Sequence, residues 1–159
     1  IINSNKHGRH AVFIDNEDLG LMLKYRWSIQ KSRNTFYAVT KIRVNDKQKV
    51  LRLHCLIMRT PRTMETDHKD HNGLNCQKEN MRICTSSQNK MNVDKYRNNT
   101  TGFKGVTFRK QYSDFRARIM LNRINKHLGY FDTATEAANA YNTVAKQLYG
   151  EFARLNYVD

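Results

Sequence analysis

Residues 64–92, METDHKDHNGLNCQKENMRICTSSQNKMN, constrain the fold more than any other stretch of this chain. Two short segments, METDH and MRICT, flank a polar loop containing HNGLN, and a polar run that Ser86 can cap follows them. The pattern predicts strand, loop, strand and helix in quick succession, with the helix from about Ser87 to Asp94. A two-stranded hairpin with one short helix has little apolar surface to bury.

The residue types in this unit also carry chemistry. Asp67 and His68 are adjacent at the end of the first expected strand, Asn80 enters the returning strand, and Asn89 falls on the helix. Phosphodiester hydrolysis needs an activated water, a cation for the developing charge, and fixed geometry. Asp67 and the amide oxygen of Asn89 are hard donors suited to Mg²⁺ or Mn²⁺. His68 titrates near neutrality and is a candidate general base. Asn80 can hold the His68 ring or brace the loop. Taken singly, the same residues read as a turn with a surface histidine and as element caps. Only the joint pattern argues for catalysis.

Charge narrows the partner. Lys plus Arg number 28 against 14 Asp plus Glu, a net +14 over 159 residues, which makes a polyanion the default partner and nucleic acid a better fit than a membrane surface. The length allows one ordinary domain or two very small ones. No segment is apolar enough to cross a bilayer, and LGLMLKY is too short and polar for a signal core. The three cysteines, Cys55, Cys76 and Cys84, are odd in number and form no C-x-x-C pair. That argues against a disulfide framework and a zinc finger, and a reducing cytoplasm is the expected setting.

Ahead of the central unit, HAVFI (10–14) reads as a strand. Asp15 is placed to cap a helix from about Asn16 to Tyr25, which Trp27 anchors to the core. FYAVTKIRV (36–44) and KVLRLH (49–54) read as paired strands turning at 45–48, although LHCLIM (53–58) can instead begin a helix. Behind the central unit, DKYRNNTTG is polar and aperiodic, a linker. FKGVTFRK, FRARIMLN (115–122) and KHLGYF then read as three strands. Thr133 and Glu136 have capping-box spacing ahead of an amphipathic helix with Ala134, Ala137, Ala138, Tyr141, Val144, Ala145 and Leu148 on one stripe and Gly150 at its stop. Lys104, Arg109, Lys110, Arg116, Arg118, Arg123 and Lys126 make the sheet basic, against the single acid Asp114. Strand alternation turns Phe115, Ala117 and Ile119 to the helix and lets Lys104, Arg116 and Arg118 share the other face. Such a sheet can enter a major groove; a solvated basic surface is the plainer alternative.

LHCLIM, METDHKDHNGLN, ENMRIC and SSQN closely resemble the HNH endonuclease family, in particular phage and intron-encoded homing enzymes. The resemblance covers roughly residues 50–92. It implies a ββα-metal fold with one divalent cation, Mg²⁺ or Mn²⁺, held by Asp67 and Asn89, with His68 as base and Asn80 as the family's middle asparagine. Met81 stands where leucine is usual, and His71 where glycine is frequent. His71 reads as a loop residue or a second phosphate contact. His54 reads equally as a residue beside the site and as a satisfied core histidine.

FKGVTFRK, FRARIML, HLGYFDTATEAANAYN and GEFARLN resemble the plant Apetala/ethylene-response-factor DNA-binding domain over about residues 98–157. That resemblance implies DNA contacts from Lys104, Thr107, Arg109, Arg116, Arg118 and Lys126. Phe115 and His127 replace two tryptophans of the plant domain, so base preference does not carry over. Residues 1–50 resemble the leader that precedes such HNH motifs; they complete the nuclease core or add a DNA-contacting edge.

The reading is an α+β protein with an HNH ββα-metal core followed by a small three-stranded antiparallel sheet packed on one helix. A nuclease domain spans 1–93, a linker 94–101 and a DNA-binding domain 102–159. It describes a site-specific homing endonuclease or nickase acting on double-stranded DNA. No membrane and no obligate protein partner are implied, and a monomer is expected. The setting is cytoplasmic, the host bacterial cytoplasm if phage-encoded. The rival is a non-catalytic DNA-binding regulator that keeps an HNH fold.

Overall fold

The computed structural model describes residues 1–32, 34–121 and 124–158. Arg123, one of the basic residues counted above, and Asn122, the expected end of the middle C-terminal strand, lie outside the described residues. The chain divides into two compact units, Ile1–Asn89 and Lys90–Asp159. Small antiparallel sheets and a few helices make it mixed α and β, consistent with an α+β class. Among the described residues no helix is long and apolar enough to cross a membrane.

The first unit opens with a hairpin of β1 (Ile2–Ser4) and β2 (Gly8–His10). The strand expected over 10–14 is absent. Phe13 N donates to Leu74 O and Cys76 N donates to Phe13 O, so this segment pairs with the central loop through a single parallel bridge. Its alternation still holds, with Val12 and Ile14 packed on the core and Phe13 52% exposed. A 3₁₀ turn (Asn16–Asp18) leads into α1 (Leu19–Lys24). Asp15 makes no side-chain cap; its Oδ2 accepts the Lys78 N–H at 2.8 Å, tying the loop to the leader. Trp27 packs against the core and donates to Met22 O, which fixes α1 as expected.

β3 (Ser28–Lys31), β4 (Phe36–Val44) and β5 (Lys47–Arg52) form an antiparallel sheet in that order. Val44 pairs with Lys47, so the turn is Asn45 and Asp46 alone, at φ 48° and 58°, and Lys47 and Gln48, expected in the turn, begin β5 instead. Positive φ at both central positions matches the right-handed twist of the flanking strands, and Asn and Asp tolerate it best among residues with a side chain. LHCLIM resolves as a helix, α2 (Leu53–Ile57), with Leu53 and Ile57 in the core.

The central segment folds as β6 (Glu65–His68), a loop ending in a 3₁₀ turn (Lys78–Asn80), β7 (Met81–Cys84) and α3 (Ser86–Met91). β6 and β7 pair from Glu65↔Cys84 to His68↔Met81. Thr85, not Ser86, caps α3: its Oγ1 accepts the Gln88 N–H while Gln88 Oε1 accepts the Thr85 N–H. This reciprocal pair is the capping-box arrangement one residue earlier than expected. Ile2, Ile29, Ala38, Leu53, Leu74, Cys76 and Met81 share one core cluster, so the leader completes the unit that carries the central segment.

In the second unit β8 (Val106–Arg109), β9 (Asp114–Leu121) and β10 (Ile124–Phe131) form a sheet ordered β10-β9-β8, backed by α4 (Ala134–Tyr149). β8 is shorter than FKGVTFRK because Gly105 turns the chain at φ 78°, and a Cβ there would lie 2.3 Å from the Tyr141 ring. The Thr133–Glu136 capping box is present. Ala137, Ala138, Tyr141, Ala145 and Tyr149 are the buried residues of α4. Leu148, expected on that stripe, is 36% exposed; the four-residue step from Tyr141 and Ala145 leads to Tyr149, whose hydroxyl donates to Met120 O. Asn156 exchanges hydrogen bonds with Asn142 and with the backbone of Lys104, clipping the chain's last residues onto the unit.

Candidate functional site

The loop between β6 and β7 is held by two side chains. Asp70 Oδ1 accepts from the Asn72 N–H at 2.8 Å and from Asn80 Nδ2 at 2.9 Å, and its Oδ2 accepts from Asn75 Nδ2 at 2.9 Å. Burial opposes its charge, but these amides and the nearby His68 hold its carboxyl below the usual range. Asn80 Nδ2 also donates to Asn75 O, and its Oδ1 accepts the Asp70 N–H. Of the two roles open to Asn80, these bonds brace the loop. His71 takes a left-handed conformation at φ 64°, with its N–H donated to His68 O, so this glycine-like position does sit in a turn. Gly73 N–H donates to Thr35 Oγ1, and a Cβ on Gly73 would stand 2.4 Å from the Tyr37 ring. Only glycine lets the loop close this tightly on β4.

Alternation along β6 separates its polar residues into two sets. Thr66 and His68 belong to one face. There His68 is buried, its ring centroid 4.9 Å from His54 and 6.0 Å from Tyr37, while His54 lies 5.0 Å from Tyr37. Cys76 is buried beside them; one ligand atom from each of His54, His68 and Cys76 lies within 4.8 Å of the others. Burial lowers the His68 pKa, against the pull of Asp70 and Asp67. Burial, then the neighbouring His68 and Arg52, push His54 down to about 3. Both rings are therefore neutral imidazoles at neutral pH, the form a base or a metal ligand requires. Burial also pushes the Cys76 thiol up to about 12.

Glu65 and Asp67 belong to the other face. Asp67 Oδ2 accepts from Arg82 Nε at 2.9 Å and pairs with Arg82 Nη2 at 2.7 Å, directly across the hairpin. Asn89 Nδ2 donates to Glu65 Oε2 at 2.6 Å. Oxygen donors such as Glu65, Asp67 and the Asn89 amide suit Mg²⁺ or Mn²⁺ by chemistry, while the Asp67 carboxylate is paired with Arg82.

Sequence reasoning missed Glu65, Arg82, Tyr37 and Cys76 as neighbours of the candidate residues. Alternation on β6 would have found Glu65 beside Asp67. The others depend on strand register and on the fold of the loop over β4.

The sheet of the second unit sorts the expected DNA contacts. Thr107, Arg116 and Tyr130 form one cross-strand row on the open face, and Arg118 pairs with His127 on the next. Arg118 is exposed; Arg116 is half-buried, and its Nε has no hydrogen-bond partner among the described residues. Arg109 is held by both Asp114 oxygens, with its guanidinium 3.6 Å from the Tyr130 ring centroid and 4.3 Å from that of Tyr112. Lys104 lies ahead of β8 and donates to Met91 O at 2.8 Å and Val93 O at 2.6 Å; burial lowers its pKa to about 8. Lys126 is exposed and pairs with Ile119, so alternation assigns it to the face opposite Arg116.

No family model matches the chain. It is 29% identical over 150 residues to an uncharacterized HNH endonuclease of Acanthamoeba polyphaga mimivirus, covering 92% of this chain and 75% of that protein. It is also 29% identical over 94 residues to Protein 3.8 of Escherichia phage T7, covering 59% of this chain and 77% of that protein. No solved structure matches.

Proposed function

We propose that the chain is an HNH-type, metal-dependent DNA endonuclease. The similarity to a protein named as an HNH endonuclease supports the nuclease class. What supports the mechanism is that neutral His68 and Asp67 are neighbours at the end of β6, and that Glu65 in the same strand bonds Asn89 of α3. His68 takes a proton from water, and the hydroxide attacks the phosphorus. Asp70 stabilises the imidazolium that forms, since its charge favours the protonated ring. Asn80 keeps the loop that positions Asp70 and His68. Asp67 and Asn89 would hold the divalent ion, which supplies Lewis-acid stabilisation of the phosphorane and the leaving 3′ oxygen. Phosphate binding draws on the net +14 charge.

The second unit is the targeting module of this reading, an Apetala/ethylene-response-factor-type domain that lays β9 along a groove with Arg116 and Arg118. A site-specific homing role, a monomeric state and a host cytoplasmic setting complete it. The test is nicking of supercoiled plasmid in Mg²⁺, with the ends sequenced. Mg²⁺-dependent ends carrying 5′ phosphate and 3′ hydroxyl support the reading, and an inert protein that still binds DNA overturns it. The Asp67–Arg82 pair favours one rival, a regulator whose carboxylate has become structural, and the same assay separates the two.

A further inference from the structure

The cluster of His54, His68 and Cys76 does not match the metal that the nuclease reading requires. A hard cation seeks oxygen, whereas two imidazoles and a sulfur are the ligands of a softer ion such as Zn²⁺. We infer that one ring nitrogen each of His54 and His68, together with Cys76 Sγ, forms a second, soft-metal site that takes Zn²⁺ and is separate from the Asp67–Asn89 oxygens.

Three observations carry it. The ligand atoms already lie within 4.8 Å of one another. Zinc bonds of about 2.0–2.3 Å require them to close only slightly further, a movement within reach of side-chain rotation. All three residues are buried, so their ligand atoms are held away from bulk solvent. His54 Nδ1 is a buried nitrogen with no hydrogen-bond partner among the described residues, and an unmatched polar atom at this depth points to something the protein chain does not supply. On binding, Cys76 gives up the proton now directed at Gly73 O, 3.8 Å away, and that proton passes to solvent. Sulfur and two nitrogens then hold the ion, and the remaining position is open to water.

The consequence for activity rests on the nuclease reading. A zinc-bound His68 nitrogen has no lone pair for water, so an occupied soft site withdraws the base while the oxygen site stays intact. Zinc would act as an inhibitor that excess Mg²⁺ does not displace.

Co²⁺ added to the reduced full-length protein tests the site directly, because a cobalt–thiolate bond gives an intense near-ultraviolet charge-transfer band. The band should appear in wild type, vanish in Cys76→Ser and persist in Cys55→Ser and Cys84→Ser. His54→Gln should keep the band but weaken cobalt binding by at least the ~10–100-fold that loss of supporting interactions costs a metal site. Circular dichroism confirms that each variant is folded. A wild-type protein without the band overturns the proposal, and so does a band that survives Cys76→Ser. A protein that shows the band but never nicks DNA supports the soft site and refutes the nuclease reading. In an active protein, Zn²⁺ should stop nicking by wild type and spare Cys76→Ser; equal inhibition of both overturns the link to His68.

Discussion

The two units deploy their polar groups in opposite ways. In Ile1–Asn89 the groups that matter are buried or half-buried and mutually held: Asp67 against Arg82, Glu65 against Asn89, His68 among His54, Tyr37 and Cys76. In Lys90–Asp159 the sheet keeps its interior simple, with Val106, Ala117 and alanines of α4, and leaves Arg116 and Arg118 on an open face. A reaction centre needs groups fixed before the substrate arrives, because orientation and desolvation set the barrier. A surface that meets a charged polymer needs accessible cations, because its affinity comes from displaced counterions and base-edge contacts. The contrast predicts that changes in the first unit alter rate or stability, and changes on the second alter binding.

The largest effect should come from His68→Ala. Loss of a general base should reduce nicking by about 10²–10⁴-fold, with DNA affinity unchanged in a mobility-shift assay. Wild-type cleavage by this variant would remove His68 from the mechanism. Next is Arg82→Met, which removes the guanidinium that pairs with the buried Asp67 carboxylate. Breaking one side of a buried pair costs roughly 3–5 kcal/mol. Urea unfolding should show that loss, and adding Asp67→Asn to the same protein should recover part of it.

On the second unit, Arg116→Ala and Arg118→Ala should each cost about 1–3 kcal/mol of binding and relax preference at one base pair. Lys126→Ala, on the opposite face, should change sequence preference not at all and the salt dependence only slightly. A fragment of residues 90–159 makes the comparison sharper, because it keeps the Met91 and Val93 carbonyls that hold Lys104. It should bind duplex DNA and cut nothing; a fragment without DNA affinity would break the contrast between the units.

The remaining prediction concerns pH. Burial lowers the pKa of His54 to about 3 and lowers that of His68 as well. Below about pH 6.5 the unfolded chain takes up protons that the folded rings refuse, so stability present above that pH is lost as pH falls toward 3. For His54 the slope over that window is on the order of 1.4 kcal/mol per pH unit, and His68 adds to it in the same direction. Chemical denaturation at pH 7, 6 and 5 checks it. The nicking rate should fall with acid at a midpoint below 6.5, and a midpoint at or above 6.5 would mean that His68 is not desolvated.

What was legible in the sequence was local. The Thr133–Glu136 box, the Asn45–Asp46 turn, the strand–loop–strand–helix order of 64–92 and the apolar alternation of β9 depend on residues a few positions apart, where propensity and sterics act directly. The errors arose where a distant partner intervened. Asp15 reads as a helix cap, yet the Lys78 N–H takes its carboxylate. HAVFI reads as a strand, yet its hydrogen bonds go to Leu74 and Cys76. Lys104 reads as part of a basic face, yet two carbonyls thirteen and eleven residues earlier capture its ammonium. The joining of His54, His68 and Cys76 required three separate segments to converge, and no spacing rule anticipates that.

The bonds that close the central loop also set when this protein becomes what it is. Gly73 reaches back 38 residues to Thr35, and Lys78 reaches back 63 residues to Asp15. Contacts of such sequence separation form late, because loop-closure entropy must be overcome first. A chain leaving the ribosome can form the β3-β4-β5 sheet before His68 has any loop to stand on. The loop beside His68 therefore closes only after the leader has docked, so a fragment lacking residues 1–35 should leave that loop open however well its hairpin pairs.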